Sequence, residues 1–197
     1  MRRFATAVLA LALVAVAACS APPKPTAYVN AQWGFGVTFP GPPKVTETAA
    51  SATQAHSVLA EANVDGRDFA VNVIDATGAD GAPSEILDRA QAVLAQSQGL
   101  DVGTTAVVTL GDIPGREVRF DKDGSPAMLA RLFMINSRLY EVNANSAKGP
   151  TDPAVKTFLD SFHLVATPDT SSDADASAGN AATPANTAPP TTNAAQP

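Results

Sequence analysis

Ser57-Val-Leu-Ala-Glu-Ala-Asn-Val-Asp-Gly-Arg-Asp-Phe-Ala-Val-Asn-Val-Ile-Asp75 is the stretch on which the fold turns. Two runs rich in Val and Ala flank Asp65-Gly66, a dipeptide well suited to a two-residue hairpin turn. Closing the chain there sets Ala62 opposite Phe69, Ala60 opposite Val71 and Val58 opposite Val73. The other face carries Asn63 with Asp68 and Glu61 with Ala70. One apolar and one polar face is what a correct register gives, because a one-residue slip would turn every side chain over. The stretch predicts an antiparallel hairpin with one side against a core.

The same reading extends in both directions. Trp33 to Phe39 alternates aromatic or aliphatic with small residues and stops at Pro40-Gly41-Pro42-Pro43, a strand ended by a turn cluster. Lys44 to Ala50 is a weaker strand. Beyond the hairpin, Thr77 to Pro83 is a Gly/Asp loop. Ser84 then reads as the cap of a helix with Glu85 in its first turn and Gly99 just past its end. Ile86, Leu87, Ala90, Val93 and Leu94 fall on one stripe, so this helix should lie on a sheet. Asp101 to Leu110 is a strand rich in Val and Thr. Arg116 to Asp121, Ala127 to Ile135 and Arg138 to Asn145 are three more, joined at Asp123-Gly124 and Asn136-Ser137. The middle one is nearly continuous apolar and hence interior. Asp152 caps a last helix with Pro153 at its first position, and Val155, Phe158, Leu159 and Phe162 form its buried stripe. The expected class is α+β: a predominantly antiparallel sheet of about seven or eight strands packed by two main helices.

Four stretches of this chain are similar to the small exported domains of the PsbP/Mog1-like group. They are Gly34-Phe35-x-Val37-x-Phe39-Pro40-Gly41-x-Pro43, Gly111-x-x-Pro114-Gly115-Arg116-Glu117, Arg138-Leu139-Tyr140-x-Val142 and Phe158-Leu159-Asp160-Ser161-Phe162. The resemblance spans about Trp33 to Val165 and implies a mostly antiparallel sheet packed by helices. Its motifs are turns and core positions. Members of that group do unrelated jobs, one on a small GTPase and another at photosystem II, so the resemblance speaks to fold and carries neither activity across.

Outside the domain (28–167) the chain has a different character. Residues 1–18 begin with Arg2 and Arg3 and continue as an apolar run, Phe4 to Ala18, broken only by Thr6. At 1.5 Å per residue that run is about 22 Å long, short of the ~30 Å a spanning helix must cover, and it reads as an export signal. Val16-Ala17-Ala18-Cys19 resembles the lipobox of bacterial lipoproteins. The resemblance implies that Cys19 takes a diacylglycerol on sulfur, that the chain is cut before it, and that acyl chains then hold the protein to a membrane. The alternative is an ordinary signal peptide cut after Ala18. Ser20, rather than Asp, after the cysteine resembles lipoproteins sent on to an outer membrane. The expected location is the cell envelope, facing the periplasm or the exterior. Residues 19–27 then form a lipidated, Pro-rich tether. Residues 168–197 form a tail in which Asp169 to Pro197 has no Leu, Ile, Val, Met or aromatic residue, so it is expected to be disordered.

Charge and composition narrow the partners. The 197-residue chain carries 13 Lys+Arg and 19 Asp+Glu. Taking away residues 1–18 removes Arg2 and Arg3 and leaves a net charge of −8. An acidic, Lys-poor chain is a poor ligand for nucleic acid, which rewards clustered cations. Cys19 is the only cysteine, so no internal disulfide is possible, and two histidines argue against a transition-metal cage. There is no Gly-x-Ser-x-Gly, HExxH, phosphate-binding glycine loop or EF-hand spacing, hence no expected cofactor, metal or catalytic residue. Asp121-Lys-Asp123-Gly124 lacks the later ligands of a calcium loop and reads as a hairpin turn. His56 precedes a strand and His163 ends a helix. Trp33, Phe35 and Phe39 are better suited to a core than to a ligand floor.

One pattern calls for counter-charges. A two-residue turn at Asp123-Gly124 would set Arg116 opposite Arg131 across neighbouring strands. The turn at Asn136-Ser137 would set Arg131 opposite Val142 and Phe133 opposite Tyr140. Two guanidiniums directly opposite need anions. Either carboxylates such as Asp160 supply them, or Arg116, Arg131 and Tyr140 border an anion-binding site. The expected function is an envelope lipoprotein whose domain is a non-catalytic binding or accessory module, with an envelope protein as a possible partner. Its rivals are an envelope hydrolase with a carboxylate-based site and a structural accessory of an envelope assembly.

Overall fold

The computed structural model describes residues 24–167. The signal stretch, Cys19, the start of the tether and the tail lie outside them. The elements run β1 (Thr26–Asn30), β2 (Phe35–Phe39), β3 (Lys44–Thr48), β4 (Ser57–Val64), β5 (Arg67–Asp75), α1 (Pro83–Gln98), β6 (Asp101–Leu110), β7 (Ile113–Lys122), β8 (Ser125–Ile135), β9 (Arg138–Asn145), α2 (Pro153–Ser161) and β10 (His163–Leu164). The class is α+β and every strand pair is antiparallel.

The strands form two sheets, one of seven in the order β3-β4-β5-β9-β8-β7-β6 and one of three in the order β1-β2-β10. The hairpin from Ser57 to Asp75 closes in the expected register, with Ala62 opposite Phe69, Ala60 opposite Val71 and Val58 opposite Val73. Asp65 and Gly66 both take positive φ, as do Asp123 with Gly124 and Asn136 with Ser137. These three tight turns carry the right-handed twist of the strands they join.

The main core lies between one face of the large sheet and a layer made of the small sheet and α2. Phe35, Phe39, Phe69, Phe133, Phe158 and Phe162 meet there, with Phe158 5.1 Å from Phe39 and 5.2 Å from Phe69 between ring centroids. A second core lies on the opposite face, where α1 packs Leu87, Ala90 and Leu94 on Val118, Phe120, Met128 and Leu132.

Several expectations are corrected. Thr26 and Ala27, read as tether, open β1 and pair with Phe39 and Thr38. The cap of α1 is Ala82 rather than Ser84, because Pro83 takes the first helical position; the Glu85 carboxylate accepts the Ala82 N–H at 3.0 Å. Val93 is 62% exposed. It falls off the buried stripe because α1 covers only the β6–β7–β8 part of the sheet. His163 lies in β10, beyond the end of α2, rather than in the helix.

The register expected to join the arginines fails for a local reason. Lys122 pairs with Ser125 and Asp121 with Pro126, as the turn requires, but Phe120 then pairs with Met128. Pro126 has no N–H for the ladder, and Ala127 is the extra residue of a β-bulge. One extra residue shifts the pairing, so Arg116 lies opposite Leu132 and Arg131 opposite Glu117.

Candidate functional site

The bulge decides what the arginines do. Arg116 and Arg131 point to opposite faces of the large sheet. Arg116 faces α1, where its guanidinium binds the Asp88 carboxylate and donates to the Ser84 carbonyl at 3.1 Å. That bond holds the Asp88 carboxyl below its ordinary range. Arg131 faces the α2 side, opposite Val142 as expected. Its Nε donates to Glu117 Oε2 at 2.8 Å and its Nη2 to Asp160 Oδ1 at 2.8 Å. Lys156 Nζ binds the other Asp160 oxygen at 2.9 Å, and with Arg131 it holds that carboxyl below its usual range. Arg131 therefore pins α2 to β7 and β8. A cleft of about 300 Å³ runs past it, walled by Phe133, Leu159 and Phe162.

Tyr140 lies opposite Phe133 as expected, but its hydroxyl donates to the Trp33 carbonyl at 2.9 Å and the side chain is buried. Burial raises its pKa. Beside it Arg138 lies over the Trp33 ring at 5.2 Å and donates to the Gln32 carbonyl. Tyr140 locks the β1–β2 turn onto the large sheet. Arg116, Arg131 and Tyr140 are thus distributed over three places and are not brought together. Trp33, Phe35 and Phe39 are core residues.

A roomier feature lies elsewhere. On the α1 side of the large sheet, the part formed by β3, β4, β5 and the Asn143–Asn145 end of β9 is left open among the described residues. It makes an open groove of about 830 Å³, with the β3 edge on one side and the Val93–Ser97 flank of α1 on the other. Strand alternation fills its floor with the polar face of the deciding hairpin: Leu59, Glu61 and Asn63 from β4, and Asp68, Ala70 and Asn72 from β5. From β9 come Glu141, Asn143 and Asn145. Asn63 donates to Asp68 at 2.6 Å, and Lys44 lies 3.6 Å from Glu61.

Glu141 is the unusual member. It is 7% exposed on the central strand β9, at the foot of the α1 wall, and accepts a bond from Asn72 Nδ2 at 2.9 Å. Burial holds its carboxyl above the ordinary range, against the pull of that bond. Sequence reasoning missed Glu141 and Asn72. The available signal was an acid at the alternate position of a strand whose other residues are mostly apolar. From strand spacing and rise, the Cα atoms of Glu61 and Glu141 lie about 12 Å apart, two strands across and two residues along.

The solution structure of cyanobacterial PsbP (CyanoP) from Synechocystis sp. PCC 6803 superposes on this architecture with a TM-score of 0.51. The match is 11% identical in sequence and covers 77% of this chain and 98% of that one. The fold is PsbP-like. No family model matches the chain, nor does any curated protein sequence. Within the PsbP-like fold, Gly115 of the resembling motif has a direct packing reason: a Cβ there would overlap the Phe133 ring and the Leu132 carbonyl.

Proposed function

We propose that this chain is a membrane-anchored lipoprotein of the cell envelope whose PsbP-like domain is a non-catalytic binding module. The observation that carries the binding reading is the open, uncovered half-sheet with its row of Asn and acidic side chains. A groove of that width and openness suits a chain segment of an envelope partner better than an enclosed small molecule.

The anchor reading rests on the sequence around Cys19 and has its own test. Cys19→Ser should move the protein from the membrane to the soluble fraction with its circular dichroism and melting temperature unchanged. A Cys19→Ser protein shown by mass to have lost residues 1–18 that still stays with membranes through a high-salt wash would contradict the acyl anchor. Recovery of the native chain in outer-membrane fractions would agree with Ser20 after the cysteine; recovery only from the inner membrane would not.

A further inference from the structure

β6 is the last strand of the large sheet, and among the described residues nothing pairs with its outer edge. Natural edges of this length are usually blunted by charge, proline or brevity. The opposite edge strand, β3, is five residues long and carries Lys44 and Glu47. β6 is ten residues long, and from Val102 to Leu110 it has neither a charged residue nor a proline. Its central Val107 is 80% exposed. The shift in register between Val102 and Thr105 leaves Thr105 to Leu110 evenly paired with β7. A straight, uncharged six-residue edge is a template for another strand.

The residues on that edge say which strand. Val107 lies opposite Arg116, which faces α1, so Thr105, Val107 and Thr109 share that face. Ala106, Val108 and Leu110 share the other, where Val108 and Leu110 pack against the main core. A two-fold axis normal to the sheet keeps each face on its own side and makes the new pair antiparallel. Centred on Val107, it sets Val107 opposite Val107 of the second copy, Thr105 opposite its Thr109 and Ala106 opposite its Val108. Thr meets Thr, aliphatic meets aliphatic, and no charges oppose one another, which is the favourable pattern for cross-strand pairs. Centring on Ala106 or Val108 instead would set Thr against Val.

We propose that β6 is a self-complementary interface through which two copies of this chain join their large sheets across Val107. The pairing is short, well below the area of a permanent dimer, and the dimer is therefore reversible.

The chemistry of the chain makes the test clean. In the processed chain (19–197) carrying Cys19→Ser, Val107→Cys supplies a single thiol on the proposed axis. The two Cα atoms would then be about 4.5–5.5 Å apart, inside the range that a disulfide spans. Mild oxidation should give a covalent dimer about ten times faster than with Val45→Cys, an exposed position on the other edge. Sedimentation of the Cys19→Ser chain should show a concentration-dependent dimer, and Val107→Lys should raise its Kd by about tenfold or more at unchanged melting temperature. Equal cross-linking at positions 107 and 45, a chain that remains monomeric at about 200 μM, or a dimer unmoved by Val107→Lys would overturn the proposal.

Discussion

Asp152→Ala should lower the unfolding free energy of the domain by about 3 kcal/mol. Asp152 is 3% exposed and serves three partners. One oxygen accepts the Ala154 N–H at 3.1 Å and so caps α2, a contribution of about 1 kcal/mol in most helices. The other accepts Arg67 Nε and Ser146 Oγ, each at 2.7 Å. Arg67 follows the Asp65-Gly66 turn, so a single carboxylate ties the deciding hairpin to the start of the last helix. Alanine would remove the cap, leave the buried Ser146 hydroxyl without its acceptor and take from the half-buried Arg67 its closest carboxylate.

The same residue sets an acid limit. The bond from Arg67, with that from Ser146, lowers the Asp152 pKa from 3.8 to about 2. The unfolded chain takes up this proton below about pH 4 and the folded chain only near pH 2. The stabilisation is therefore complete above the unfolded value and is lost as pH falls through the folded one. Urea unfolding of the native protein and Asp152→Asn should differ at pH 7, and the difference should shrink toward pH 2. A gap that stays constant over that range would contradict the assignment.

Arg131→Met should cost about 1–2 kcal/mol. The guanidinium is mostly buried and joins Glu117 on β7 to Asp160 on α2, while methionine keeps much of the stem's packing and none of its charge. Asp160 retains Lys156, but Glu117 loses its partner from β8. A double-mutant cycle with Asp160→Asn should therefore return a coupling of about 1 kcal/mol. Adding phosphate or sulfate should leave the melting temperature of the native protein where it was, because both bonds of Arg131 end on protein carboxylates. A coupling near zero would mean that α2 is held by its aromatic contacts alone.

Much of the architecture was legible because short-range rules settled it. The β4–β5 register follows from one dipeptide and two contrasting faces, and the α2 start follows from Asp152-Pro153. The pairing of Arg131 with Val142 follows from the tight turn at Asn136-Ser137. Non-local geometry hid the rest. The first two residues of β1 read as Pro-rich tether and the rest as no particular element, because its partner is β2 and nothing in Thr26 to Asn30 alone demands a strand. The bulge at Pro126 and Ala127 turned Arg116 to the face opposite Arg131, although a proline two residues past a hairpin turn was the cue. The groove was not legible as a site. Alternation shows that Glu61, Asn72 and Glu141 face away from the main core, but not that α1 stops short, leaving Glu61 and Asn72 partly open and Glu141 buried at its foot.

The proposed binding of an envelope partner to the open half-sheet has a direct test. The most direct measurement places a benzophenone side chain at position 143 in the groove and, separately, at position 29, an exposed site on the small sheet. Both full-length proteins are irradiated in intact cells. A partner in the groove should give a discrete higher-mass adduct from position 143 that is absent from position 29. The same adducts from both positions, or none from position 143, would contradict it.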